Sequence, residues 1–330
     1  MEVIKNQIDE LNIELTVKVA AADYEPSRKK RLSERRRNAE FKGFRKGNVP
    51  ASLVERVYGD QILADAVNDV VSEALNNFMK ENKANYVGEP LGSLNQPENA
   101  WIVGSDFTFL FDLATTPEVD FEVSEADEIA KYSITVTEKA KAEMKENLLK
   151  YDESKKELSE EALDNEVKEY LSNTYKQEAE YRLSRDIREY FIEKAAIKLP
   201  EDFLKRWLQY ANGDKYTQEQ IDAEFPAFLK DFRWQMVSDY LMKKFELKIT
   251  EKEINEAARG MISYQYAMYG LSNVPEDVLN EAAQNLLQDG SQIQRIAEQA
   301  ENKMVMDALK EKVSVKSKRI SLDKFRELPA

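Results

Sequence analysis

Gly43, Phe44, Arg45, Lys46 and Gly47 fall together in the run FKGFRKGNVP, residues 41–50, which Asn48 and Pro50 close. The glycines free the backbone for φ > 0 turns. Arg45 and Lys46 offer charged donors for phosphate or carboxylate. Phe44 supplies the kind of apolar face that anchors an interface or stacks on a base. The competing reading is an ordinary surface loop whose basic residues merely meet water. Charge density weighs against it. Residues 28–46 hold ten Lys and Arg, among them Arg28, Arg31, Arg35, Arg36 and Arg37, against Glu34 and Glu40. That local +8 sits in a chain of net charge −14, leaving −22 on the remainder. A basic spot on an acidic molecule suits one polyanionic partner and disfavours general coating of nucleic acid.

Other chemistry is scarce. The 330 residues contain no His and no Cys. The usual general base, the commonest metal ligand, thiol nucleophiles and disulfides are therefore absent. Glu219, Asp222 and Glu224 in KYTQEQIDAEF offer carboxylates, but their spacing reads as a solvated helix face. No paired-carboxylate or metal spacing exceeds chance, and no Gly-rich phosphate loop of the Walker type occurs. The expectation is a protein with no catalytic residue, no metal and no cofactor. The opening MEVIKNQIDELN has no apolar segment, and no run approaches the roughly 20 apolar residues of a membrane span. This reads as a soluble cytoplasmic protein with no membrane partner.

The elements that must position the loop are readable from periodicity. In NIELTVKVA, Ile13, Leu15, Val17 and Val19 share one face and predict a half-buried strand. A basic helix follows, with Pro26 near its first turn. After the loop, PASLVERVYG predicts a short helix that Gly59 ends. A longer one then starts at the cap Asp60, with a stripe from Ile62 to Phe78. EPLGSLNQPEN reads as turns. DFTFLFDLATTP reads as a strand with Phe107, Phe109 and Phe111 on one side. Residues 1–120 thus form an α+β domain, helices set against a small antiparallel sheet.

Residues 121–158 read as an extended linker, AKYSITV, and a connecting helix. From 159 to 330 the chain is an extended all-α domain with arm-like helices. No glycine occurs between Thr137 and Pro200, and the helix capped by Ser159 spans on the order of 50 Å. Further helices are expected at 201–212, 217–246, 251–269, 275–288 and 291–312. Thr250 with Glu253 forms a capping box, Ser291 caps the last helix, and the tail adds a short strand. Met261, Tyr264, Tyr266, Met268, Tyr269 and Leu271 crowd one stretch, more Met and aromatic than one buried stripe needs. Two readings stand: an adaptable apolar binding surface, or ordinary helix packing. Phe228, Phe232, Trp234 and Met236 form a second cluster that reads as core.

GFRKGNVP closely resembles the ribosome-docking signature of bacterial trigger factor, Gly-Phe-Arg-x-Gly-x-x-Pro. The helix VYGDQILADAVNDVVSEALNNFM and the strand GSDFTFLFDLATTPEVDF are similar to the elements that follow it in that family. The all-helical remainder resembles the family's chaperone domain at the level of pattern. The resemblance implies an ATP-independent chaperone that docks beside the nascent-chain exit of the large ribosomal subunit, on protein and rRNA. The docking triplet falls on Phe44, Arg45 and Lys46; Asn48 stands where many relatives have Lys. Nascent or unfolded polypeptides are the implied clients, and weak self-association into a homodimer is also implied. The family usually carries an FKBP-like prolyl isomerase domain of roughly a hundred residues. Here the chain passes straight into helix near 151–158, so no isomerase activity is expected. The alternative from another class is a stand-alone RNA-binding protein using the basic helix 28–46. The −22 elsewhere and the lack of an aromatic β platform argue against it.

Overall fold

The computed structural model describes all residues except 83–85, 152–154, 156–157, 272 and 330, and the side chain of Asp214. It divides into two compact units, Met1–Glu118 with Lys198–Leu229, and Val119–Ile197 with Lys230 onward. The second stretch of the first unit, 198–229, is far from the first in sequence, and periodicity alone gave no sign of that grouping. The junction expected near 151–158 lies largely outside the described residues.

The first unit is built on a four-stranded antiparallel sheet, ordered β1 (Glu2–Gln7), β2 (Asn12–Val19), β4 (Phe107–Thr115) and β3 (Tyr86–Gly92). The alternation read in β2 is realised: Ile13, Leu15, Val17 and Val19 are all buried. Against this face lies α2 (Ala51–Glu81), whose Leu63, Ala66, Val67, Val71 and Ala74 join Val17, Val19, Tyr24 and Phe107 in one core cluster. Each such buried Val or Leu contributes roughly 1.5–3 kcal/mol. That gain explains a correction. Gly59 does not end a helix and Asp60 caps nothing, because α2 runs unbroken through both. A mid-helix glycine costs only about 1 kcal/mol, less than one of the stripe's apolar contacts. α1 (Ala21–Asn38) starts early enough that Pro26 lies in its second turn, not its first.

β3 carries Gly88 at φ +66, where its pairing with β4 shifts register between Val87 and Leu91. Helix α5 (Glu201–Asn212) packs there. Arg206 donates to Asp112 Oδ2 at 2.6 Å and to the Gly92 carbonyl at 2.9 Å. A Cβ on Gly88 would lie 2.6 Å from Nε1 of Trp207. Gly88 is thus required twice, by its φ and by the indole. We expect Gly88→Ala to cost about 3 kcal/mol, from a strained φ plus overpacking. Thermal unfolding with tryptophan fluorescence would read this as a lowered transition. An unchanged transition would show that Trp207 moves aside freely.

The second unit begins with β5 (Glu128–Ile134), which pairs in parallel with β6 (Ser314–Ile320), so the expected tail strand forms. α3 (Glu138–Tyr151) and α4 (Glu160–Ala195) enclose a cluster of Ile134, Leu163, Val167, Leu171 and Tyr175. Ser159 caps α4, its hydroxyl accepting from Ala162 N–H. At 1.5 Å per residue, the 36 residues of α4 span about 54 Å. α6 (Gln218–Lys244) brings Trp234, buried, to donate to Asn302 Oδ1 at 2.7 Å on α9 (Gly290–Lys312), in line with its reading as core. Asp289, not Ser291, caps α9; its carboxylate accepts from both the N–H and the hydroxyl of Ser291. α10 (Leu322–Arg326) closes the chain.

Asp127, 2% exposed, fastens the start of β5 to α4. It pairs with Lys194, accepts from Tyr190 Oη at 2.6 Å, and accepts from Ser124 N–H at 2.9 Å. Burial pushes its carboxyl up, but these bonds outweigh burial and hold it below the usual carboxylate range. A depressed folded value means the contribution is full above the ordinary range near pH 4. It is lost as pH falls through the folded value. Asp127→Asn should cost about 2–3 kcal/mol near neutral pH. The gap in Tm between variant and parent should close below about pH 4; a gap that persists in acid would assign the loss to packing instead.

Candidate docking loop and apolar tip

The loop between α1 and α2 has a defined backbone. Phe44 N–H donates to Phe41 O at 3.0 Å, and Asn48 N–H to Arg45 O at 2.9 Å. These close two successive β-turns, 41–44 and 45–48. Gly43 (φ +93) and Gly47 (φ +85) each sit third in their turn, while Lys42 and Lys46 before them keep negative φ. This is the type II pattern, which demands φ > 0 at the third position. A Cβ at either glycine would meet nothing within 4 Å, so the constraint is backbone angle rather than space. The four-residue spacing of the glycines therefore presents Phe44 and Arg45 between the turns. Phe44 is 44% exposed.

The base of the loop is a small core of Ala39, Val49 and Val54, flanked by Leu32, Phe41, Leu53 and Tyr58. Phe41 meets Tyr58 edge-on at 6.1 Å, and the Arg35 guanidinium lies 4.1 Å over the Tyr58 ring. Arg36 Nε donates to Val49 O at 2.8 Å, tying the end of α1 to the far end of the loop. Sequence reasoning placed Arg35, Arg36 and Arg37 with Gly43–Pro50 on the expected ribosome-binding surface. Arg35 and Arg36 also hold the loop's base, which no one-dimensional pattern could show.

The rest of the basic cluster divides by role. Arg28, buried, bonds Glu25 at 3.1 Å and Glu55 at 3.0 Å. Arg31 grips Asp69 with two nitrogens at 2.9 and 2.7 Å. The Asp69 carboxyl is held below its usual range chiefly by Arg31. These pairs fix α1 against α2 and leave less charge for a partner than the sequence suggested. Among the described residues, Arg37, Lys42 and Arg45 have no ion pair, and Lys46 reaches Glu40 only at 3.8 Å. Lys30 and Arg35 on α1 likewise lack an ion pair among those residues, so the uncommitted positive charge runs from α1 into the loop.

The Met- and Tyr-rich stretch occupies the end of α7 (Glu251–Met268), whose start carries the expected Thr250–Glu253 capping box. Gly270 (φ +79) ends it: Gly270 N–H donates to Ala267 O at 2.9 Å and Leu271 N–H to Tyr266 O at 3.0 Å. That is the Schellman arrangement, and it turns the chain toward α8 (Glu276–Leu286). Tyr264, Met268 and Tyr269 are 69%, 71% and 76% exposed, with Leu271 beside them. Met261 differs: it packs on Ala258, Ala283 and Ile296 in the core that joins α7, α8 and α9. Tyr266 is half-buried. The stretch is therefore an exposed tip on a packed base. Glu219, Asp222 and Glu224 are exposed on α6, and Asp222 pairs with Lys205 at 2.7 Å. Among the described residues no cluster of acidic side chains could hold a metal, and no helix is long and apolar enough to cross a membrane.

Comparison with known proteins agrees with these features. Residues 1–148 match the family model described as bacterial trigger factor protein, and residues 179–328 match that of the probable trigger factor C-terminal domain. A trigger factor of Lachnoclostridium phytofermentans is 29% identical over 127 residues, which is 38% of this chain and 29% of that protein. A solved structure, reported for promiscuous substrate recognition in the folding and assembly activities of the trigger factor chaperone, covers 94% of this chain. It is matched over 99% of its own length with a TM-score of 0.56 at 12% identity, a likeness of fold. With the two family models spanning most of its length, the chain belongs to the trigger factor family.

Proposed function

We propose that this chain is an ATP-independent chaperone of the cytoplasm that docks on the large ribosomal subunit through residues 43–50 and holds nascent or unfolded polypeptides on exposed apolar surface. The observation that carries the reading is the loop: an exposed Phe44 beside an unpaired Arg45 and a Lys46 held only loosely by Glu40, presented by two glycine-dependent turns on a packed base. Phosphate or acidic protein would meet the cations, and Phe44 would enter an apolar pocket. Free RNA binding by 28–46 loses support, because Arg28 and Arg31 are already paired with carboxylates.

The apolar tip suits weak holding. A client covering about 400 Å² of apolar area gains roughly 10 kcal/mol gross. Association takes back on the order of 4–15 kcal/mol. Micromolar or weaker affinity follows, and release needs no nucleotide. The chain passes from α3 to α4 within residues 152–159, too short for an isomerase domain, so we expect no catalysis in a proline-limited refolding assay. The function is tested by mixing the purified chain, without nucleotide, with ribosomes and separately with an aggregating unfolded protein. The expected results are pelleting with ribosomes that weakens steeply with salt, as phosphate contacts require, and suppressed turbidity. Failure to pellet at any salt would sink the docking reading.

A further inference from the structure

We infer that the free edge of β5 is a binding site for an extended, β-prone polypeptide segment carrying an acidic side chain, which adds there as a third strand. The inference deepens the reading of this chain as a holder of unfolded polypeptide and rests on it. Thr135 N–H donates to Ile320 O, and Ser314 N–H donates to Asp127 O. The odd-numbered residues of β5 therefore turn their main-chain groups toward β6. Strand geometry has period two, so Ala130, Tyr132 and Ile134 turn theirs to the opposite edge. The sheet has two strands only, and among the described residues no strand takes up that edge. Such a row of unpaired donors and acceptors is a template for another extended chain and for no other backbone conformation.

A cavity of about 490 Å³ lies against the strand, lined by Tyr132, Ser133 and Ile134 of β5 and by Tyr175, Lys176 and Ala179 of α4. Its lining is mixed: Tyr132, Ile134, Tyr175 and Ala179 offer apolar surface to alternate β-branched side chains, and the paired Lys131 and Glu180 also face it. Glu180 is matched by Lys131, whereas Lys176 is exposed and has no ion pair among the described residues, so it leaves the lining net positive and gives the site a preference for a carboxylate. A parallel pair of strands is marginal in isolation, and a third strand would reinforce it.

The test uses the full chain and a fluorescent peptide of about eight residues, alternating Val and Thr around one Asp, followed by polarisation. The same peptide with alternate amides N-methylated keeps its side chains and loses its donors on one edge. The expected result is binding weakened about tenfold or more by N-methylation. Lys176→Glu should weaken the Asp peptide and spare a version with Lys in its place. Ala130→Pro should also weaken binding, because it removes an amide facing the free edge and leaves the β5–β6 bonds intact. If that variant unfolds, the methylated peptide on the unaltered chain still decides. Equal binding of methylated and plain peptides overturns the inference. So does absence of peptide binding by a chain that still suppresses aggregation. A chain that does neither removes the holding function itself, and the edge site with it.

Discussion

Phe44→Ala, Arg45→Ala and Lys46→Ala together should abolish pelleting with ribosomes while leaving the unfolding transition where it was. The three side chains make no contribution to the loop's base, which is formed by Ala39, Val49, Val54, Arg35 and Arg36. An apolar anchor with two cations at a docking tip is worth on the order of 4 kcal/mol, about a thousandfold in affinity. The single Phe44→Ala change should take the largest share and leave the salt dependence nearly as steep. The two cation changes should flatten it, because fewer counterions are released. A distinct check comes from Gly43→Ala and Gly47→Ala. Each forces a Cβ into a φ near +90, at about 1–2 kcal/mol, without touching any partner residue. If docking depends on the shape of the two turns, these variants also weaken pelleting. Normal pelleting of all of them would place the ribosome contact elsewhere.

The second large effect is expected at the tip of α7. Tyr264→Ser, Met268→Ser and Tyr269→Ser together should remove most of the suppression of aggregation. The stability change should stay within about 0.5 kcal/mol per site, because all three side chains are exposed. Met261→Ser is the contrasting control. Met261 packs into the α7–α8–α9 core, so its loss should cost about 2 kcal/mol or more of stability. Turbidity and thermal unfolding measured on the same samples separate the cases. A tip variant that unfolds early would make the stretch ordinary packing. A tip variant that is stable and fully active would move the client surface to other exposed apolar side chains, such as Trp101 and Ile102.

These two sites were legible to different depths in the sequence, for physical reasons. The loop was readable because type II turns need glycine at a fixed position, and that need is written one residue at a time. β2 was readable because one of its faces is wholly buried, so its alternation is complete. β1, EVIKNQ, is an edge strand with almost nothing buried, and a strand without a buried face has no periodic signature. β3 contains Pro90 and Gly92, which read as turns in EPLGSLNQPEN; an edge strand with a register shift can hold both, with Gly88 beside them. The packing of Trp207 over Gly88 joins segments more than a hundred residues apart, and neither residue marks the other. At the tip, the run of Met and Tyr is plain in the sequence, but nothing in it separates Met261 from Tyr264. Both lie on one helical face, and only the neighbouring helices decide which of them is covered.

The central claim is that Phe44 itself enters the ribosome. The most direct measurement replaces Phe44 with a photoreactive phenylalanine analogue and irradiates the chain with intact ribosomes, with free ribosomal RNA as a competitor. The account predicts a crosslink to a large-subunit component that survives excess free RNA and disappears when Arg45 and Lys46 are changed to Ala. A crosslink equally strong with free RNA, or no ribosomal crosslink from a chain that still pellets, would contradict it.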